Sequence, residues 1–325
     1  MIKQSFLEHS THQQPLFHAP HLSTAAKHVL KSTDLSASEI RLVLDTAKMQ
    51  KKLKALGQWP VEPQAGRMCS MIFEKQSLRT RVSFETAMFE LGGHAIYLTK
   101  NDIEMGKRES IADTARVLSK WSSLIVARLY KQSDIEELAK WSSVPVINAL
   151  TDLEHPCQAL ADLLTIEEVF GNQKLKLVWI GDGNNVANSF AVTAARLGHE
   201  VVVCTPPGYE AEAHVYNEPN VTGHYSPTEA VKGAHAVYTD VWVSMGQEEE
   251  TATRVSRFAK YQVNDELMSC ASEDAVFLHC LPAVRGLEVT DEVIDGAQSA
   301  VFEQSDNRLH AQKALMSLIL DGVLS

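Results

Sequence analysis

Short apolar runs alternate with helix-period segments along most of this 325-residue chain, and that alternation limits the fold more than any other feature. Met68 to Phe73 reads as a buried strand. Val82, Phe84, Ala87, Met88 and Leu91 then lie near one face of a helix from Leu78 to Leu91, which Gly92-Gly93 stops. Further strands are expected at Leu124 to Ala127, Val144 to Ile147, Leu175 to Ile180, Val201 to Thr205, Ala236 to Thr239 and Val276 to Leu278. Helical patterns separate them, and a last helix is expected from Leu309 to Leu320. Ser36-Ala37-Ser38-Glu39 is a capping box that opens an earlier helix through about Leu56. Strands alternating with helices predict an α/β fold with parallel sheets, and the length suits about two domains. The boundary is expected on or just after the helix that starts at Pro156 and ends near Phe170.

The notable polar residues follow directly after strands: Lys75 to Arg81, Arg128, Asn184-Asn185, Asp240 and His279-Cys280. Open α/β sheets bind ligands beyond the carboxyl ends of their strands, so two facing sheets would gather these groups in one cleft. Ser77, Leu78, Arg79, Thr80 and Arg81 span a strand-to-helix junction. Free backbone N–H groups and the helix dipole attract an anion there, and the arginines add planar donor forks. By itself the same pattern also fits a plain helix cap with solvated charges. His155 before Pro156 either satisfies backbone groups or points into an anion cleft, where Gln158 would add an uncharged donor. Asp240 beside Ser244-Met245-Gly246 is either a solvated loop carboxylate or a holder for a ligand ammonium group. Cys280 is either a core thiol or a polarizable neighbour of a bound amine. His279 adjoins it on a strand and so points to the opposite face, which argues against a Cys–His dyad.

Composition excludes several classes. A net charge of −11 argues against nucleic acid or an anionic membrane as partner. Five cysteines without C-x-x-C spacing suggest reduced thiols in a cytoplasmic protein. No apolar run approaches ~18 residues, so no membrane span is expected. Gly181-Asp182-Gly183 has Val186 where a dinucleotide fingerprint needs its third glycine, so no nicotinamide or flavin cofactor is expected. No acidic and histidine residues share metal-site spacing, so no metal is expected either. Residues 1–26 are polar, His-rich and free of arginine, unlike a signal or transit peptide, and are treated as an extension.

Taken together, these stretches resemble the aspartate/ornithine carbamoyltransferase family, and its ornithine branch in particular. The likeness runs from about Lys27 to the C-terminus. It is carried by Phe73-Glu74-Lys75-x-Ser77-x-Arg79-Thr80-Arg81-x-Ser83-x-Glu85, Glu109-Ser110, Ala127-Arg128, His155-Pro156-x-Gln158, Gly181-Asp182-Gly183-Asn184-Asn185, Asp240-x-Trp242-x-Ser244-Met245-Gly246, His279-Cys280-Leu281-Pro282 and Asn307-Arg308.

The resemblance implies a two-domain enzyme that moves the carbamoyl group of carbamoyl phosphate to the side-chain amine of ornithine, giving citrulline and phosphate. Residues 27–165 would bind carbamoyl phosphate and 166–306 ornithine, with 307–325 returning as a helix to the first domain. Trimers, or larger assemblies of trimers, would share active sites across subunit contacts. Ser77, Leu78, Arg79, Thr80 and Arg128 would hold the phosphate. His155, Gln158, Arg308, Cys280 and Leu281 would surround the carbamoyl group. Asn185, Asp240, Ser244 and Met245 would bind ornithine, and Arg128, His155, Cys280 and Arg308 would be the catalytic set. Three departures stand out. Leu78 replaces a threonine, and Val284 replaces a more polar residue. Glu104 stands where a glutamine or histidine reaches the neighbouring subunit's phosphate. A carboxylate there repels phosphate, so weaker carbamoyl-phosphate binding is expected. Two other readings use the same residues: a binding protein on this scaffold, or transfer to another amine. Aspartate would want cations where Asp240 and Ser244-Met245 stand.

Overall fold

The computed structural model describes residues 27–58, 64–244 and 248–324. The extension before Lys27, together with Met245 and Gly246, lies outside the described residues. The first half runs α1 (Ala37–Ala55), β1 (Met68–Phe73), α2 (Leu78–Glu90), β2 (His94–Thr99), α3 (Lys100–Ile103), α4 (Ile111–Trp121), β3 (Leu124–Arg128), α5 (Gln132–Trp141), β4 (Val146–Leu150) and α6 (Pro156–Phe170). Its four strands pair in parallel in the order β2-β1-β3-β4. The second half runs β5 (Lys176–Ile180), α7 (Asn185–Arg196), β6 (Glu200–Cys204), β7 (Val221–His224), α8 (Pro227–Ala230), β8 (Ala236–Thr239), α9 (Thr251–Phe258), α10 (Asp265–Met268), β9 (Val276–His279), α11 (Asp291–Ile294) and α12 (Val301–Leu320). Its five strands are also parallel, in the order β7-β6-β5-β8-β9.

The strand sequences fit this burial. Strands β3 and β4 are covered on both faces and are buried throughout, so they read as continuous apolar runs. The edge strands β2 and β7 carry partly exposed positions and escaped the sequence reading for that reason. Strand β4 sits two residues later than expected. Asn148, a polar residue in mid-strand, is fully buried and donates from Nδ2 to the Leu30 carbonyl at 2.8 Å. Helix α6 is buried from Pro156 to Glu167 and touches both α7 and α12. One apolar core therefore continues from the first sheet into the second.

Helix α12 begins at Val301 rather than Leu309, so Asn307 and Arg308 are interior helix residues, and a division after residue 306 falls inside it. It packs against α1, α2 and α6 of the first half. The Lys313 ammonium is buried against Glu90 at 2.7 Å, and Lys54 reaches the same carboxylate. A pair at that depth is kept only with good geometry, so it ties α12 firmly to α2.

Strand order places the chemistry. In the first sheet the chain leaves β1 to one side for β2 and to the other for β3. In the second sheet it leaves β5 to one side for β6 and to the other for β8. Ligands in such folds bind outside the strand carboxyl ends at these reversals. The residues after β1 and β3 and those after β5 and β8 are the polar groups singled out from sequence.

Candidate active site

A cleft of about 990 Å³ lies between the carboxyl ends of the two sheets and is lined from both halves. Of the described residues given a role by the resemblance, all line it except Glu104; Arg81, marked in the sequence as an anion donor, lies outside it and pairs with Glu85 at 3.0 Å. Glu104 sits at the C-cap of α3 with φ of 40°; Met245 lies outside the described residues.

The first half builds an anion pocket. Ser77 caps α2, its hydroxyl accepting from the Thr80 N–H at 3.1 Å. Leu78 follows at the first helical position with its side chain 73% exposed. Thr80 Oγ1 accepts from Arg308 at 3.2 Å and from Arg128 at 3.4 Å. Arg79 crosses the cleft and donates to the Leu281 carbonyl at 2.7 Å. Arg128 and Arg308 are buried, and among the described residues none of the three arginines pairs with a carboxylate. Burial first, then Arg308 and Arg79, pushes Arg128 down to about 10. Burial also lowers Arg308. Burial first, then Arg308, Arg128 and Arg79, holds His155 well below the usual histidine range. The His155 imidazole is therefore neutral, and its Nδ1 is buried without a partner. Its backbone N–H donates to Ser189 at 2.7 Å, which fixes the turn into α6. Buried cations without a counter-charge are costly, so this pocket is balanced when a multiply charged anion enters.

Gln158 corrects the sequence reading. It was expected as a donor, but its Nε2 is spent on Asp162 at 2.8 Å. Its Oε1 accepts from Arg308 at 2.6 Å, so the group it offers the cleft is an acceptor.

The second half builds a complementary pocket. Asn184 caps α7, its Oδ1 accepting from the Val186 and Ala187 N–H groups, while Nδ2 donates to Asp240 at 2.8 Å. The Cys280 thiol donates to the other Asp240 oxygen at 3.1 Å. Burial first, then Asp240, pushes that thiol far up, so it stays protonated. Asn185 donates to the Thr151 carbonyl at 2.6 Å and joins the two halves. Arg254 pairs with Asp182 at 3.0 Å and donates to the Trp242 carbonyl, anchoring the start of the loop that carries Ser244. Burial, partly offset by Arg254, pushes Asp182 up to about 6.

The turn after β9 completes the cleft. Leu281 has φ of 58°, and its N–H donates to His279 Nδ1 at 2.8 Å. His279 Nε2 then carries the proton and faces Glu288 at 3.2 Å. Among the described residues, donor atoms of Asp240, His279 and Cys280 lie within 4.8 Å of one another, as a cation site would need. Both ring nitrogens of His279 are already engaged and the thiol is protonated, so the trio does not fit a metal well.

Several supporting residues escaped the sequence reading. Asp162 and Gln304 were hidden because they sit on helices and are fully buried. Spacing carried a signal: Asp162 is four residues after Gln158, and Gln304 four before Arg308.

Comparison with known proteins decides the family. Residues 27–168 match the carbamoyl-P binding domain of aspartate/ornithine carbamoyltransferases, and residues 173–319 match their Asp/Orn binding domain. The chain belongs to the aspartate/ornithine carbamoyltransferase family. Among its relatives in that family, the anabolic ornithine carbamoyltransferase of Pyrococcus furiosus is 49% identical over 93% of this chain and 99% of its own. The ornithine carbamoyltransferase of Carboxydothermus hydrogenoformans is 51% identical over 90% of this chain and 96% of its own. The solved structure of the Pyrococcus furiosus enzyme superposes with a TM-score of 0.89 at 48% identity, over 92% of this chain and 98% of that one. That of the Thermus thermophilus ornithine carbamoyltransferase gives 0.84 at 42% identity, over 91% and 100%.

Proposed function

We propose that this carbamoyltransferase moves the carbamoyl group of carbamoyl phosphate to the side-chain amine of L-ornithine, giving L-citrulline and phosphate. One observation carries the reading: three arginines without a carboxylate partner among the described residues face, across a single cleft, a carboxylate held by Asn184 and Cys280. The first suits a phosphate dianion and the second a primary ammonium group. Relatives bearing the name ornithine carbamoyltransferase support it.

Ser77, Arg79, Thr80 and Arg128 hold the phosphate, and Leu78 contributes a backbone N–H but no hydroxyl. Arg128, His155, Thr80 and Arg308 surround the carbamoyl oxygen, and Gln158 with the Leu281 carbonyl receives the carbamoyl N–H groups. Asn185, Ser244 and Met245 hold the ornithine backbone groups, while Asp240 and Cys280 receive its side-chain amine. Once that amine has lost a proton, its nitrogen attacks the carbamoyl carbon. Negative charge grows on the carbamoyl oxygen, where fixed donors stabilise it most. The carbon–oxygen bond to phosphate then breaks, and the departing phosphate takes the second proton of the attacking nitrogen. Holding both substrates in one cleft supplies much of the remaining acceleration.

Residues 27–165 form the carbamoyl-phosphate domain and 166–306 the ornithine domain in this reading. The enzyme works in the cytoplasm as a trimer or an assembly of trimers, and Glu104 reaches the neighbouring subunit's phosphate. Five cysteines without disulfides suit that compartment. The test is the initial rate with L-ornithine, L-aspartate, putrescine and N-acetylornithine as acceptors. Ornithine should be preferred by at least about 100-fold, as a buried polar site allows. Turnover confined to another amine would overturn the substrate; phosphate binding with no turnover would favour a binding protein.

A further inference from the structure

Gln158 and Gln304 reach one buried carboxylate oxygen from two helices. Asp162 Oδ1 accepts from Gln158 Nε2 at 2.8 Å and from Gln304 Nε2 at 2.6 Å. Neither amide can turn over without loss. Gln304 Oε1 accepts from the His279 backbone N–H at 2.9 Å, and Gln158 Oε1 accepts from Arg308 Nη1 at 2.6 Å. Both of those groups can only donate. An amide is oriented by its network, and here each has an obligate donor at one end and Asp162 at the other.

The carboxylate is an expensive way to close this network. Asp162 is fully buried, and burial pushes it up to about 7 against the pull of Gln304, Gln158, Tyr238 and Arg308. Among the described residues it forms no ion pair with lysine or arginine. Among the described residues its Oδ2 makes no close hydrogen bond, although the buried Tyr238 hydroxyl lies against the carboxylate, so Oδ1 serves both amides. What Oδ1 secures is the direction of Gln158, whose other face lies on the cleft. With Nε2 held back on Asp162, Gln158 offers the cleft an oxygen with one lone pair beyond the bond from Arg308. An acyl phosphate ending in NH₂ can donate to that oxygen; one ending in CH₃ cannot.

We infer that Asp162 is a positioning residue that keeps the Gln158 oxygen turned to the cleft, and thereby makes the site select an acyl phosphate carrying N–H over its methyl counterpart. The inference rests on the reading of carbamoyl phosphate as substrate. Loss of the acceptor frees Gln158 to present its amide N–H, and the advantage of the carbamoyl nitrogen disappears.

The experiment compares the KM for carbamoyl phosphate with the inhibition constant of acetyl phosphate, its methyl counterpart. Wild-type turnover with carbamoyl phosphate and ornithine tests the substrate reading; only the variants test Asp162. Asp162→Leu removes the acceptor while keeping the branched shape of the side chain. It should raise the carbamoyl-phosphate KM about 10- to 100-fold, the range set by one mispaired buried polar group, with acetyl phosphate inhibition within about threefold of wild type. Asp162→Asn keeps an oxygen for both amides and should stay within about threefold on every constant. A leucine variant that weakens both acyl phosphates equally, or an asparagine variant as poor as the leucine one, overturns the proposal.

A second pair decides the question should Asp162→Leu fail to fold. Gln158→Glu sets a carboxylate against Asp162 and should lose at least about 100-fold in apparent affinity for carbamoyl phosphate. In Asp162→Asn/Gln158→Glu the charge that repels the new carboxylate is removed, and the asparagine oxygen still accepts from Gln304. That double variant should regain at least about tenfold. A double variant no better than Gln158→Glu alone overturns the proposal.

Discussion

Among the described residues, Arg79, Arg128 and Arg308 meet in the first half of the cleft without a counter-charge, and this is the feature of single residues from which most follows. Each guanidinium keeps five N–H donors in a rigid fork, so three of them offer directed bonds that three lysines would not. Burial, reinforced by their summed field, keeps His155 beside them neutral. Arg128 touches both Thr80 and the cleft, and its Nε is buried without a partner. Arg128→Ala should therefore lower kcat by about 10²–10³, as removal of one fixed donor at a developing oxyanion does. Steady-state rates at saturating substrate check this; a loss confined to KM would mean that Arg128 only binds. Arg79 and Arg128 were visible in the sequence because they stand at or just after strand ends, where an α/β sheet exposes its loops, whereas Arg308, inside α12, was marked only by the resemblance. Asp162 was not visible, because burial of a polar residue depends on the helices packed over it.

Loops and helices show where sequence reading stops. The apolar periodicity of α2 and α6 predicted both helices closely. It failed for α12, whose first turns carry Glu303, Gln304, Asp306, Asn307 and Arg308. Three of these polar residues are buried against α6, so the pattern looked like a loop. Gly183 marks a different limit. A Cβ there would lie 2.2 Å from the Ala211 nitrogen and 2.3 Å from the Glu210 carbonyl carbon, so the turn after β5 and the loop before residue 213 touch backbone to backbone. Gly183→Ala should cost about 1–3 kcal/mol of stability by overpacking. It should raise the ornithine KM, because Asn184 and Asn185 follow directly. Urea unfolding measures the first effect, and an unchanged midpoint would show that the Glu210 loop can retreat. The α3 turn supplies a further test. Glu104→Gln removes a carboxylate from the position that reaches a neighbouring phosphate in the proposed trimer. Apparent affinity for carbamoyl phosphate should rise by several-fold, as loss of one repelling charge near a partly solvated anion allows. An unchanged KM would mean that Glu104 turns elsewhere.

At the scale of the whole molecule, two sheets of different strand number place their reversal points face to face. Helix α6 lies between them, and α12 ties the end of the chain back to α1, α2 and α6. That arrangement was only partly legible. Alternating strands and helices establish parallel sheets, but strand order depends on which side each crossover takes, and the sequence does not record it. The structure puts the arginine pocket and the Asp240–Cys280 pair on opposite walls of one cleft, where an acyl phosphate and an amine can meet. The claim at the centre of this account is that the two walls act on two substrates in one transfer. The direct test is stoichiometry: citrulline formed and phosphate released per carbamoyl phosphate consumed, with and without L-ornithine. We predict one of each in the presence of ornithine, and no phosphate release above the uncatalysed rate in its absence. Catalysed phosphate release without ornithine, or consumption without citrulline, would contradict it.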